Sequence, residues 1–107
     1  MSGSPSVPVA DDRRARAVAA ARSAVEALSR VGVTALVTGS LARGNFGSHS
    51  VIDLLVTACP RHLKYAIEGV VEDALGNLPF DVIYQDELSA WRMAAFAAGA
   101  VDARDLG

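Results

Sequence analysis

Residues 39–57 read GSLARGNFGSHSVIDLLVT, a glycine- and serine-rich stretch running into an apolar, β-branched segment with one aspartate at its centre. Glycine lets the backbone come close to a ligand, and exposed N–H groups in such a turn favour phosphate. The spacing matches no common phosphate loop: Gly-Lys-Ser/Thr, Gly-x-Gly-x-x-Gly and the Gly-x-Ser-x-Gly elbow are all missing. Alone, the loop reads equally as a glycine-rich connector or as a phosphate-binding turn. The strand after it is more informative. Asp53 stands mid-strand in Val51 to Thr57, where a carboxylate is costly to bury unless it meets a cation or hydrogen-bond donors. Asp81 repeats the oddity in Phe80-Asp81-Val82-Ile83-Tyr84. Each taken singly is also explained as a strand-end aspartate bonded to backbone amides. Together, downstream of a Gly-Ser turn, they point to a carboxylate cluster holding a divalent metal beside bound phosphates.

Around this centre the chain divides into periodic segments. Val33 to Thr38 (VTALVT) is short and β-branched and ends at Gly39, which predicts a buried strand; Val51 to Thr57, ending before Pro60, predicts the next. Upstream, Val18, Ala21, Val25 and Leu28 recur at three- and four-residue spacing over about 11–31, with Asp11 or Asp12 as cap and Gly32 as a left-handed stop. Arg13, Arg16, Arg22, Glu26 and Arg30 form its solvated face. Leu63, Ile67, Val70, Val71, Ala74, Leu75 and Leu78 mark a second helix over about 61–76. Phe80 to Tyr84 is the third strand, and Asp86 is placed to cap a last helix through Leu88, Trp91, Ala95 and Ala98. The fold class is α/β: a small mixed sheet with packed helices in the order α-β-β-α-β-α. Residues 1–10 hold Pro and Ser with no apolar period and read as a flexible tail, leaving 11–107 as a single domain.

Composition narrows the function. In 107 residues, ten Lys and Arg against twelve Asp and Glu give a net charge of −2, with 51% apolar residues. That balance fits an ordinary globule of one domain and disfavours direct nucleic-acid binding. The single cysteine, Cys59, rules out an intrachain disulfide or a cysteine-based metal cluster and reads as a small buried residue. No run approaches a membrane span, so a cytoplasmic location is expected. His62 reads as surface, and Tyr65 and Tyr84 carry no mark of a modification target. Trp91, Met93 and Phe96 give the last helix two apolar sides, which either pack inward or are covered by an oligomer or a protein partner.

The stretch GSLARGNFGSHSVIDLLV resembles the signature of the minimal nucleotidyltransferases of the DNA polymerase β superfamily, in which Gly-Ser, Ala-Arg-Gly and Ser-Asp-x-Asp-Leu occur in that order. The resemblance extends through Phe80-Asp81 and implies a nucleotidyltransferase fold. It implies that Gly39 and Ser40 contact nucleotide phosphates, that Arg43 lies near them, that Asp53 binds metal, and that Asp81 is the third carboxylate, a general base or metal-tuning group. Such proteins move a nucleoside monophosphate from ATP or another nucleoside triphosphate to a hydroxyl with two Mg²⁺ ions. Small prokaryotic ones often act as antitoxins beside a helical HEPN-type toxin.

One position departs from this signature. Val51 stands where the family's first aspartate would be, so Val51-Ile52-Asp53 keeps one carboxylate of the pair. Residues 51 and 53 of a strand point to the same side, the geometry that lets such a pair bridge two ions. A valine supplies no oxygen there. His49 is a substitute ligand in principle, although imidazole suits Zn²⁺ better than Mg²⁺. The expectation is a nucleotidyltransferase-fold protein with a weakened metal site, weakly active or inactive, working through a HEPN-type partner or as a homo-oligomer; the alternative is an active, Mg²⁺-dependent protein-AMPylating enzyme.

Overall fold

A computed structural model describes residues 9–47, 49–64, 66–76 and 78–106 of the chain. Helix α1 (Val9–Arg30) turns back at Gly32 into strand β1 (Thr34–Thr38), followed by a short helix α2 (Gly39–Arg43) and strand β2 (Ile52–Ala58). Helix α3 (Ile67–Leu75), strand β3 (Phe80–Tyr84) and helix α4 (Ala90–Ala98) complete it, with 3-10 turns at Arg61–Leu63, Gln85–Glu87 and Ala103–Asp105. The three strands lie in the order β1-β2-β3. β1 is antiparallel to β2, and β2 is parallel to β3. The sheet is therefore mixed, as the strand pattern predicts.

Side chains alternate across a strand, so the sheet has two chemically different faces. Ala35, Val37, Ile52, Leu54 and Val56 point to one, joined by half-buried Phe80, Val82 and Tyr84. α1 and α3 pack against each other and close this face with Ala21, Ala24, Leu28, Ile67, Val71 and Leu75. Alanines along α1 let its axis approach closely, so a chain this small still builds one continuous core. The other face carries Leu36, Thr38, Asp53, Leu55, Asp81 and Ile83.

Several boundaries differ from the sequence reading, each for a physical reason. α1 opens at Val9, so Asp11 and Asp12 fall within its first turns instead of capping it; residues 1–8 of the expected tail lie outside the described residues. Gly32 does adopt the left-handed conformation, φ 86°, that stops the helix. The second helix is shorter than 61–76, because Pro60 leads into a 3-10 turn before α3 begins. Asp86 caps nothing. With Glu87 it holds Lys64, whose Nζ lies 3.1 Å from Asp86 Oδ1 and 2.6 Å from Glu87 Oε2 and sits over the Tyr84 ring. Tyr84 Oη donates to the Lys64 carbonyl at 2.6 Å, so β3 is tied to the segment entering α3. Arg22 is more than a solvated charge: its guanidinium donates to the carbonyls of Ala103 and Leu106 and fastens the C-terminal turn to α1. On α4, Trp91 is 74% exposed, which overturns inward packing for that residue; the side chain of Phe96 and all of Tyr65 lie outside the described residues. Cys59 is half-buried, its thiol donating to the Pro60 carbonyl, and His62 is exposed.

Candidate functional site

The stretch between β1 and β2 is helical over its first five residues, not a plain loop. A segment this short has no periodicity to read, and it forms because Leu41 is driven into the core while Gly44, at φ 84°, closes the end. The turn is completed by Gly44 N–H to the Leu41 carbonyl and Asn45 N–H to that of Ser40. Phe46 is buried, and Ser50 folds back on Gly47, its Oγ accepting from the Gly47 N–H at 2.9 Å. α2 thus leaves the end of β1 with Gly39 and Ser40 in its first turn, where main-chain N–H groups have no partner within the helix. Arg43 lies in its last turn and is exposed.

The sheet register brings the carboxylates together. Thr38 lies opposite Asp53, and Asp53 is in register with Asp81. The three occupy one row on the face that α1 and α3 leave uncovered. Asp53 and Asp81 are thus neighbours on adjacent parallel strands, roughly 4.8 Å apart at the backbone. Asp81 is exposed and Asp53 is half-buried. Gly39, at φ +73°, fits closely over the Asp53 carboxylate: a Cβ built on it would stand 2.1 Å from Asp53 Oδ2. The glycine is therefore required by the aspartate as well as by its own backbone. Buried Thr38 completes the row and escaped the sequence reading; a threonine ending an apolar strand beside Gly-Ser was its only signal.

The Asp53 carboxyl titrates above its ordinary value of 3.8 because burial disfavours its charge and Asp81 repels it, with Arg43 acting in the opposite direction. The folded state then holds a proton that the unfolded chain has released, so this contribution to stability is complete below 3.8 and lost as pH rises through the raised folded value. Asp53→Asn in metal-free buffer is accordingly expected to be more stable than the native chain at pH 7. The advantage should vanish in urea titrations below the ordinary carboxylate value. Equal stabilities at both pH values would remove this account of the carboxylate.

The donor set fits one hard cation. Mg²⁺ is commonly held by one or two carboxylates and completed by phosphate oxygens and water, and Asp53 and Asp81 supply that many. Among the described residues no group of three His, Cys, Asp or Glu side chains able to hold a metal gathers, so His49, which is exposed, does not join them. Val51 lies just before β2 and is 36% exposed. No helix among the described residues is long and apolar enough to cross a membrane.

A family model described as nucleotidyltransferase domain matches residues 18–99, from the middle of α1 to the end of α4. No curated protein and no solved structure matches the chain.

Proposed function

We propose a function from one premise: the chain belongs to the nucleotidyltransferase domain family. In this reading it binds a nucleoside triphosphate, with Gly39 and Ser40 donating main-chain N–H groups to the phosphates and Arg43 countering their charge. Asp53 and Asp81 would share one Mg²⁺, which when bound neutralises and aligns the triphosphate. Exposed Asp81 is the group placed to take a proton from an acceptor hydroxyl, and half-buried Asp53, under Gly39, is held in one position.

Val51 carries the choice between activity and binding. It presents hydrocarbon two residues before Asp53, where the related signature has an oxygen ligand, so the second metal position lacks its bridging carboxylate. Transfer is then slow or lost, and the chain acts by occupying a protein partner, a HEPN-type toxin being the class that the resemblance points to. The exposed Trp91 on an otherwise alanine-rich helix supports a partner. The in-register Asp53 and Asp81 favour the second reading, an active enzyme that moves AMP from ATP onto a protein hydroxyl.

Calorimetry of ATP with Mg²⁺ on the native chain and on Val51→Asp separates the two. Val51→Asp is expected to tighten Mg²⁺-dependent ATP binding by roughly 10- to 100-fold and to gain transfer of labelled nucleotide. Transfer by the native chain at a rate unchanged by Val51→Asp would establish the active reading and end the first.

A further inference from the structure

Among the described residues, the C-terminal segment pairs with β1 through a single bridge. Val37 and Val101 exchange both main-chain hydrogen bonds, each at 2.8 Å. Asp102 Oδ1 then accepts from the Arg104 N–H at 2.9 Å and starts the 3-10 turn Ala103–Asp105, which carries the chain toward α1. Arg22 fastens the turn there, its Nε–H and one Nη2–H going to the carbonyls of Ala103 and Leu106. A cavity of about 560 Å³ is left between α1, β1 and this turn. Half-buried Val25 and Leu36 give it an apolar wall, with buried Val33 and Ala103 behind them.

The charges on its rim do not cancel. Glu26 pairs with Arg30 at 2.8 Å and Asp102 with Arg104 at 3.0 Å, so each rim carboxylate already has a cation. Arg22, also on the rim, has no carboxylate within ion-pair distance among the described residues. The two carbonyls orient its guanidinium without neutralising it. They also use only two of its five N–H donors, and a planar fork with donors to spare is matched by a carboxylate. One unbalanced cation beside an apolar wall is selective. A bare inorganic anion leaves the wall wet, a hydrocarbon leaves the cation unused, and a polyphosphate brings charges that nothing here meets. A cavity of this size, mostly apolar and with one placed charge, suits a small organic molecule.

We propose that this cavity is a second ligand site, for a small monocarboxylate with an apolar body. The carboxylate sits on Arg22 and the body lies against Val25 and Leu36. The cavity shares no residue with Gly39, Ser40, Arg43, Asp53 or Asp81, so the inference does not rest on the nucleotide reading.

The test titrates the full native chain, isotope-labelled for amide detection, with octanoate, 1-octanol and acetate. Octanoate is expected to bind about tenfold more tightly than 1-octanol, which has the body without the charge, and by a similar factor more tightly than acetate, which has the charge without the body. It should move the amides of residues 22–36 and 101–106 and leave those of Asp53 and Asp81 in place. Arg22→Gln should reduce octanoate binding to the level of 1-octanol. Because Arg22 also fastens the C-terminal turn, a second variant leaves it intact: Val25→Phe fills the cavity from α1 and should weaken octanoate about tenfold while the chain keeps its folded spectrum. Equal binding of octanoate and 1-octanol overturns the proposal, since the charge is then not read. Equal binding of octanoate and acetate overturns it as well, reducing Arg22 to a surface anion contact, as does octanoate affinity unchanged by Val25→Phe.

Discussion

Gly39→Ala is expected to cost about 2–5 kcal/mol of stability and to abolish the proposed nucleotide binding with it. Two penalties combine. A φ of +73° is strained for any residue with a Cβ, by about 1–2 kcal/mol. The added methyl also enters the Asp53 side chain, 2.1 Å from Oδ2, 3.1 Å from Cγ and 3.3 Å from Cβ; overpacking of this kind costs about 1–3 kcal/mol. The two parts are separable. In the double variant Gly39→Ala/Asp53→Ala the obstructing carboxylate is gone, so urea denaturation should recover about 1 kcal/mol or more relative to the sum of the single variants. The backbone part remains. Strict additivity would mean that α2 shifts to accommodate the methyl and that glycine and aspartate are independent.

Leu54→Ala should destabilise the protein by a similar amount for an unrelated reason. Leu54 is 0% exposed on the central strand and lies in the core cluster beneath α1 and α3. Removing it leaves a void between two helices and a sheet that cannot all collapse inward, at a cost of about 3–4 kcal/mol. For a domain whose whole stability is on the order of 5–10 kcal/mol, that shift moves the urea midpoint far toward water. The contrast with Gly39→Ala is the useful measurement. Leu54 and Asp53 are sequence neighbours on opposite faces, so the folded fraction of Leu54→Ala should keep the proposed ATP affinity while Gly39→Ala loses it. Equal loss of affinity in both would mean that core packing, not the Gly39 contact, holds the carboxylate.

The strands were legible within a residue because each is a β-branched run ended by glycine, proline or a polar turn. The long helices were legible because their apolar spacing persists over several turns. α2 was not: Gly-Ser-Leu-Ala-Arg is too short for a period, and it becomes helical only because Leu41 finds a core to enter. The same limit explains the extra residues assigned ahead of α3, where the 61–63 turn mimics helical spacing, and the cap assigned to Asp86, whose carboxylate is drawn to Lys64, 22 positions away in sequence. Side-chain direction on α4 was equally out of reach, since an alanine-rich helix has no polar face to mark the outside.

The sequence by itself determined the three strands and the longer helices, that a Gly-Ser turn leads into two strands with central aspartates, and that Val51 breaks the Asp-x-Asp pattern. These are local properties of residue type and spacing. Tertiary structure alone decided that Asp53 and Asp81 share a register and that Gly39 has to be a glycine because a carboxylate occupies its Cβ position. Each of these depends on pairing between segments far apart in the chain. Hydrophobic burial of the face opposite Asp53 fixes that pairing, because a one-residue slip would exchange Leu54 for Asp53 in the core.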